Sequence, residues 1–332
     1  MITISPYSAP VCPNMTLSET RGNPTNKIKL SFMIAARVLR GILSMIKQII
    51  LEAEMDHEAP QAQEWLSFFD EQVSPFYRAD LMPPESEASS RAAIFFLDGY
   101  AFERAGRSSS YAPAAVDALE KNAPEFDGSR SPEVEKKIWI DFSKALTEAD
   151  IPPNEKLCPL LPGDRSLVRQ LREKGKSNIL AYAQECIRQG IIPEAFDFLI
   201  SIRGIGPKIA SFFLRDAKEL LPEGGVSVQI DGSIRWQLQP IDIWVKRTIE
   251  LIARRRMENR EAARFIVQNS ANPERANMGM WYFSSLVCGS QYRHNSCLRA
   301  IPDARNRLEK FIRWKTEEYT KFQICSVRRQ AA

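Results

Sequence analysis

The chain has 332 residues, of which 44% are hydrophobic and 26% are charged, with a formal net charge of +4. These values are ordinary for a soluble globular protein with one large domain or two lobes, and they exclude the compositional extremes of disordered or collagen-like chains. A net charge of this size permits a nucleic-acid partner without requiring one.

The N-terminal part differs in composition from the rest. Residues 1–27 are rich in Pro, Ser, Thr and Asn and are predicted to be disordered. Residues 30–50 are strongly apolar, but three basic residues interrupt them, which makes a poor membrane span. Their apolar positions repeat every three or four residues and predict an amphipathic helix, either for packing or for a membrane surface or targeting. Residues 1–55 are therefore treated as an extension, and translation from Met33 or Met45 is an alternative.

The six cysteines form no compact framework. We expect reduced thiols and an intracellular protein, cytoplasmic or nucleoid-associated in a bacterium.

Helical periodicity dominates from residue 56 to 325, before a short tail at 326–332. Ser131 followed by Pro132 is a strong helix start, and a proline-rich stretch at 151–165 predicts a linker or long loop. The two possible lobes are 56–150 with the C-terminal helices, and 165–260. The predicted helices cover 61–73, 89–106, 131–150, 166–190 with a break near Gly175, 242–257, 259–270 and 303–322.

One stretch alternates apolar and polar residues. "GVSVQIDGSIRWQLQP" does so on both sides of the Asp231–Gly232 pair. Such a pair between alternating runs predicts a β-hairpin, here at about 226–238.

The decapeptide "SIRGIGPKIA", residues 201–210, predicts two short helices joined by a glycine turn. Gly204 and Gly206 allow positive φ, and Pro207 restarts a helix at its first position. The free N–H groups and positive dipole end of that second helix can bind a phosphate without reading base sequence.

The pattern resembles the helix-hairpin-helix motif, apolar-x-Gly-apolar-Gly-x-Lys-x-Ala. The matching residues are Ile202, Gly204, Ile205, Gly206, Lys208 and Ala210. A second stretch, "QPIDIWVKRT" at 239–248, is similar to the Asp-containing signature of the helix-hairpin-helix superfamily of DNA glycosylases and AP lyases. The resemblance implies a mostly α-helical, two-lobed fold and a DNA glycosylase with lyase activity in base-excision repair.

The resemblance also implies roles for individual residues. Lys208 stands where bifunctional members carry their nucleophile, and Asp242 stands where they carry the catalytic carboxylate. The implied DNA-backbone contacts come from Arg203, Gly204, Ile205, Gly206, Lys246 and Arg247. The implied partner is duplex DNA, gripped without sequence preference by a monomer, with no membrane and no cofactor.

Two departures stand out. Lys208 and Asp242 are more widely spaced than in the better-known members, which is closer to the archaeal 8-oxoguanine glycosylases. Cys288 and Cys297 are too few for the iron–sulfur cluster of other members. With His294 they form a candidate zinc site that lacks an evident fourth ligand, so we expect no metal there.

The chemistry needs an amine and an acid together. Cleavage of an N-glycosidic bond builds positive charge on the sugar, which a carboxylate stabilises, while a neutral amine attacks C1′ and forms a Schiff base. The extruded base needs a pocket, and five aromatic residues could stack on it: Trp236, Trp244, Trp281, Tyr282 and Phe283. Their helical spacing fits core positions equally well, so the sequence assigns none of them to a pocket wall.

The same residues also have explanations that involve no catalysis. Lys208 could only touch phosphate, Asp242 could only cap its helix, and Asp231 is explained by its turn. The basic run at 254–256 could be a solvated surface or a set of phosphate contacts. Two alternatives therefore stay open: a non-catalytic DNA-binding module, and a scaffold that binds another protein.

Overall fold

The computed structural model describes residues 62–102, 108–152, 154–176, 178–222 and 228–330. All of them belong to one compact unit, Ala59–Ala332. The predictions for residues 1–27 and for the helix at 30–50 lie outside the described residues.

Helices connected by loops make up this part of the chain, and no β-strand occurs in the described ranges. The prediction of a mostly α-helical protein is confirmed. The α-helices are α1 (Ala62–Phe68), α2 (Ser74–Asp80), α3 (Ser89–Phe96), α4 (Ser108–Lys121), α5 (Ala123–Gly128), α6 (Pro132–Glu148), α7 (Leu167–Glu173), α8 (Ile179–Arg188), α9 (Ile192–Ser201), α10 (Pro207–Glu219), α11 (Gly232–Arg235), α12 (Ile243–Ala253), α13 (Asn259–Asn269), α14 (Pro273–Tyr282), α15 (Gln291–Cys297) and α16 (Ile301–Gln330).

π turns and one 3₁₀ turn interrupt or extend several of these helices. The first π turn, Phe69–Val73, joins α1 to α2. The second, Leu97–Ala101, extends α3, and the third, Phe283–Cys288, extends α14. A 3₁₀ turn, Trp236–Leu238, follows α11. π turns insert an extra residue into a helix and occur often at functional sites.

Local signals set the helix boundaries as expected at several places. The Ser131 side chain accepts a hydrogen bond from the Val134 N–H at the start of α6. Gly175, with φ of +63°, separates α7 from α8.

The predicted β-hairpin at about 226–238 is wrong for residues 228–238, which form a loop followed by α11 and the 3₁₀ turn. The reason is the role of Asp231. Its carboxylate accepts the Ser233 N–H at 2.8 Å and so caps a helix instead of starting a two-residue hairpin turn. Leu238, which is completely buried, then anchors the 3₁₀ turn in the core.

Two hydrophobic clusters organise the packing. The first core is built from residues between Ala92 and Leu238. The second core joins Trp65–Val73 to residues between Ile241 and Leu308. The chain therefore passes from one core to the other between Leu238 and Ile241, directly before Asp242. The domain boundaries proposed from sequence stay predictions.

None of the described helices combines the length and apolar character needed to cross a bilayer.

Candidate functional site

The turn between α9 and α10 is tight at one glycine. Gly204 adopts φ of +78°, and a Cβ added there would overlap the backbone carbonyl of Leu157. Gly206, in contrast, has an ordinary φ of −105° with open space around it. Only Gly204 therefore requires a glycine for conformational and steric reasons.

The first turn of α10 is left without a side-chain cap. Gly206 stands at the N-cap position, and Pro207, which has no N–H, is the first helical residue. The Lys208 and Ile209 N–H groups precede the first intrahelical bond, from Ala210 N–H to Gly206 O at 3.0 Å. The Lys208 side chain is exposed. This helix end offers two N–H donors, a positive dipole end and an amine to an anion.

Two other residues expected to contact DNA are wholly or partly buried. Ile205 is 5% exposed. Arg203 is half-buried; its backbone N–H donates to Arg165 O at 2.7 Å, and its Nε is buried without a hydrogen-bond partner. Its guanidinium lies against Gly163, since a Cβ there would be 3.7 Å from Nη2. A phosphate at this turn would therefore meet backbone groups and Lys208 first.

Asp242 caps α12. Its Oδ1 accepts the Trp244 N–H at 2.9 Å and the Val245 N–H at 2.8 Å. Within the described ranges, no hydrogen bond involves the other carboxylate oxygen, and the residue is half-buried. The cap fixes the orientation of the carboxylate while one oxygen remains available.

The basic residues that follow are partly covered. Lys246 and Arg247 are half-buried, and the Arg247 guanidinium lies 5.8 Å from the centre of the Trp244 ring. Residues 254–256 are exposed, and Arg255 pairs with Glu261. The basic surface is thus split between an outer run and residues close to Asp242.

Lys208 and Asp242 do not form an ion pair or a hydrogen bond in the part of the chain that the structure describes. Buried hydrogen bonds connect α10, which carries Lys208, to the loop before Asp242. Arg215, on α10, donates from Nη1 to Asn277 Oδ1 at 2.8 Å. Asn277, on α14, donates to the Pro240 carbonyl at 3.1 Å. The helix that carries Lys208 is therefore linked to the loop that ends at Asp242.

Arg215 is also the centre of a second set of bonds. It is fully buried, and its Nε contacts Asp216 Oδ1 at 2.8 Å. Asp216 Oδ2 accepts the hydroxyls of Tyr77 at 2.5 Å and Tyr100 at 3.0 Å. Burial, followed by the nearby Asp216 charge, raises the pKa of Tyr100 well above its usual value. Every one of these side chains therefore has a partner inside the protein.

Beside this network lies a pocket of about 390 Å³. Its volume lies within the range of small-molecule sites, about 300–1,000 Å³. Phe212 and Asp216, on α10, are part of the lining, and Lys208 precedes them by one and two helical turns. Neither Lys208 nor Asp242 is among the lining residues. Lys208 lies near the start of the helix, four residues before Phe212, and residues at that spacing are neighbours on a helix surface. The lining residues are Tyr77, Asp80, Leu81, Met82, Phe95, Asp98, Gly99, Tyr100, Phe212, Asp216, Trp281, Tyr282 and Leu286.

The residues considered for zinc have other partners. His294 is buried, and its Nε2 lies 2.9 Å from the Thr248 hydroxyl. Burial lowers the pKa of His294 to about 4. A hydrogen bond from Cys288 lowers the pKa of the Cys297 thiol to about 7. In the described ranges, no group of three His, Cys, Asp or Glu residues is arranged to hold a metal ion.

Sequence reasoning offered five aromatic residues for stacking, of which Trp281 and Tyr282 line the pocket and Trp236, Trp244 and Phe283 do not. It missed Tyr77, Tyr100 and Asp216. The adjacent Arg215 and Asp216 in an otherwise apolar part of α10 were the available signal, because buried charges are normally paired.

No protein-family model and no solved structure matches the chain. The chain is similar to an uncharacterised protein from Methanocaldococcus jannaschii, with 39% identity over 75 residues. That stretch is 22% of this chain and spans 16% of the relative.

Proposed function

We propose that this protein is a DNA glycosylase with associated lyase activity of the helix-hairpin-helix superfamily, which removes a damaged base in base-excision repair. It would act on duplex DNA as a monomer in the cytoplasm or at the nucleoid, with a two-lobed fold. The observation that carries the proposal is the position of Lys208. Its side chain is exposed at an uncapped helix start, one helical turn before Phe212, which lines the aromatic pocket.

The reaction begins with positioning. A DNA phosphate accepts hydrogen bonds from the free N–H groups at the start of α10. The target nucleotide leaves the duplex, and its base enters the pocket. The Lys208 amine attacks as a neutral base, so it must lose its proton before the attack.

The bond changes follow from these two groups. The Lys208 amine forms a bond to C1′ while the bond from C1′ to the base breaks, and the base leaves with the electron pair. The carboxylate of Asp242 stabilises the positive charge on the sugar and accepts the proton lost by the amine. Opening of the sugar ring gives a Schiff base. Solvent water then removes a C2′ proton, a double bond forms between C2′ and C3′, and the 3′ phosphate leaves with the electron pair of its bond to C3′.

Borohydride trapping on duplexes that carry damaged bases or abasic sites tests the proposal. The wild-type protein is expected to form a covalent adduct, and Lys208→Gln to form none. Lys144→Gln, at an exposed lysine of α6, is the matched control and should still be trapped.

The role of Asp242 needs a control for its cap. Asparagine retains an N-cap oxygen, so Asp242→Asn should keep the fold and lose most of the trapping rate. Asp231→Asn changes the other capping aspartate and should leave the rate unchanged. Absence of an adduct on every lesion would contradict the enzymatic proposal.

A non-catalytic DNA-binding module is the second candidate, and the capping bonds of Asp242 favour it, because they explain this aspartate without chemistry. It predicts DNA affinity that survives Lys208→Gln and Asp242→Asn, with no adduct. Gel-shift titrations at two salt concentrations separate both candidates from a protein-binding scaffold, whose affinity for DNA would be negligible.

A further inference from the structure

We propose that Cys288 and Cys297 form an oxidation site, a thiol pair that hydrogen peroxide converts into a disulfide and that a dithiol restores. With His294 they were considered for zinc, but no group of three such ligands is arranged to hold a metal ion in the described ranges. The chemistry depends on the two thiols and their surroundings, so it does not rest on the proposed function.

The fold brings the two thiols together. Cys288 is the last residue of the third π turn, and Cys297 is the last residue of α15. Gly289, with φ of +63°, ends the turn, and the Ser290 side chain caps α15. The helix packs against the turn, and a hydrogen bond joins the two thiols, both of which are free. A disulfide forms readily only between cysteines that already lie side by side, as these do.

The two thiols differ in exposure and in charge. Cys288 is completely buried, whereas Cys297 is partly exposed. The hydrogen bond from Cys288 lowers the pKa of the Cys297 thiol to about 7, and the positive charge of Arg307 acts in the same direction. Arg307 is held beside the pair, because its Nε donates to the Val287 carbonyl at 2.9 Å. Cys297 is therefore the thiol that a small oxidant reaches first, in its reactive thiolate form.

Oxidation takes two balanced steps. The Cys297 thiolate attacks one oxygen of hydrogen peroxide, the O–O bond breaks, and hydroxide leaves with the electron pair, so that Cys297 becomes a sulfenic acid. Cys288 gives its proton to that hydroxide, and its sulfur attacks the Cys297 sulfur. As the S–S bond forms, the S–O bond breaks, and a second hydroxide leaves and takes a proton from solvent. Both sulfur atoms are oxidised, and the peroxide is reduced to two waters.

Peptide mapping after brief exposure of the full chain to hydrogen peroxide tests the pair. The remaining thiols are alkylated in denaturant, the protein is digested, and linked peptides are identified by mass. We expect a link between Cys288 and Cys297 that dithiothreitol removes. Cys158 and Cys186 should stay reduced, because they are buried and burial raises the pKa of each thiol. Absence of the link, or equal oxidation of Cys158 and Cys186, would overturn the inference.

Two serine variants separate the roles of the thiols. In Cys288→Ser, oxidation of Cys297 should stop at the sulfenic acid, which dimedone traps. In Cys297→Ser, the buried Cys288 should stay reduced. Cys186→Ser, at another buried thiol, is the matched control and should still form the link. Oxidation of Cys288 in Cys297→Ser would contradict the assignment of Cys297 as the thiol that reacts first.

A kinetic measurement on the wild-type protein does not depend on how the variants fold. At pH 7, iodoacetamide should alkylate Cys297 in the native protein about tenfold faster than Cys158 or Cys186, because the thiolate is the reactive form. The rate at Cys297 should rise with pH and reach half of its maximum near its pKa of about 7. Equal rates at the three cysteines would show that the pair has no reactive member and would refute the proposal.

Discussion

The two ends of α10 use charge in opposite ways. At its start, Lys208 is exposed beside open N–H groups. Near its end, Arg215 and Lys218 are buried and paired, Arg215 with Asp216 and Lys218 with Glu274 at 3.2 Å. The buried pairs hold the C-terminal half of the helix in place, so that its first turn is free to meet a ligand. Four predictions test this division.

The largest effect is expected at the buried end. Arg215→Met leaves Asp216 buried without its cation and breaks the bond to Asn277. The free energy of unfolding should fall by about 3–5 kcal/mol. Urea denaturation measures it. Arg91→Met, which breaks an exposed pair with Glu120, should cost less than about 1 kcal/mol. Similar losses at both sites would erase the contrast between buried and exposed charges.

The next effect concerns the turn before α10. Gly204→Ala forces a Cβ against the Leu157 carbonyl at a positive φ, and should cost about 2–3 kcal/mol of stability. Gly206→Ala meets no atom within 4 Å and should change stability by less than about 0.5 kcal/mol. Thermal unfolding of both variants gives the comparison, and equal costs would show that the turn is not tight.

A smaller effect is expected from pH at the buried end. Burial alone would raise the pKa of Glu274. The hydrogen bond from Arg235 and the charge of Lys218 together lower the pKa by more than burial raises it, so the pKa lies below the usual 4.5. Below pH 4.5 the unfolded chain therefore binds more protons at this residue than the folded one.

The stabilising contribution of Glu274 is present above that pH and is lost as the pH falls through its folded pKa. Glu274→Gln should flatten this part of the stability profile, measured by denaturation at several pH values. Glu120→Gln is the exposed control and should leave the profile unchanged; a profile unaffected by Glu274→Gln would contradict the assignment.

The smallest effect on stability is expected at the open end. Lys208→Gln should change the free energy of unfolding by less than about 0.5 kcal/mol, because the side chain is exposed. The same substitution should remove one phosphate contact. The plot of log affinity for DNA against log salt concentration should then become less steep by about 1. Lys144→Gln should leave the slope unchanged. An equal slope for wild-type and Lys208→Gln would remove Lys208 from the DNA contact.

Helix boundaries were predictable where a single residue determines them. Ser131, Gly175 and Pro207 each begin or end a helix by local chemistry, and the structure agrees. The Asp231–Gly232 pair failed because the same residues cap a helix as readily as they form a hairpin turn, and packing of Leu238 decides between the two.

Only part of the candidate site could be predicted from the sequence. Lys208 and Asp242 stand out by their motifs. Arg215 and Asn277 connect their supports, and the only signal for this link in the sequence is the charged pair Arg215 and Asp216 in an otherwise apolar part of α10. Their burial depends on α10 packing beside α14, a contact between distant segments that no local pattern encodes.

The second core has a consequence for synthesis of the protein. Trp65, Phe68 and Phe69 find their partners among residues that follow Ile241, such as Phe283. While the ribosome makes the intervening segments, this aromatic cluster has no finished surface to cover it, although the first core can already close. The nascent chain therefore exposes a hydrophobic aromatic surface until its last helices have been synthesised. Chaperones bind exposed hydrophobic surface of this kind.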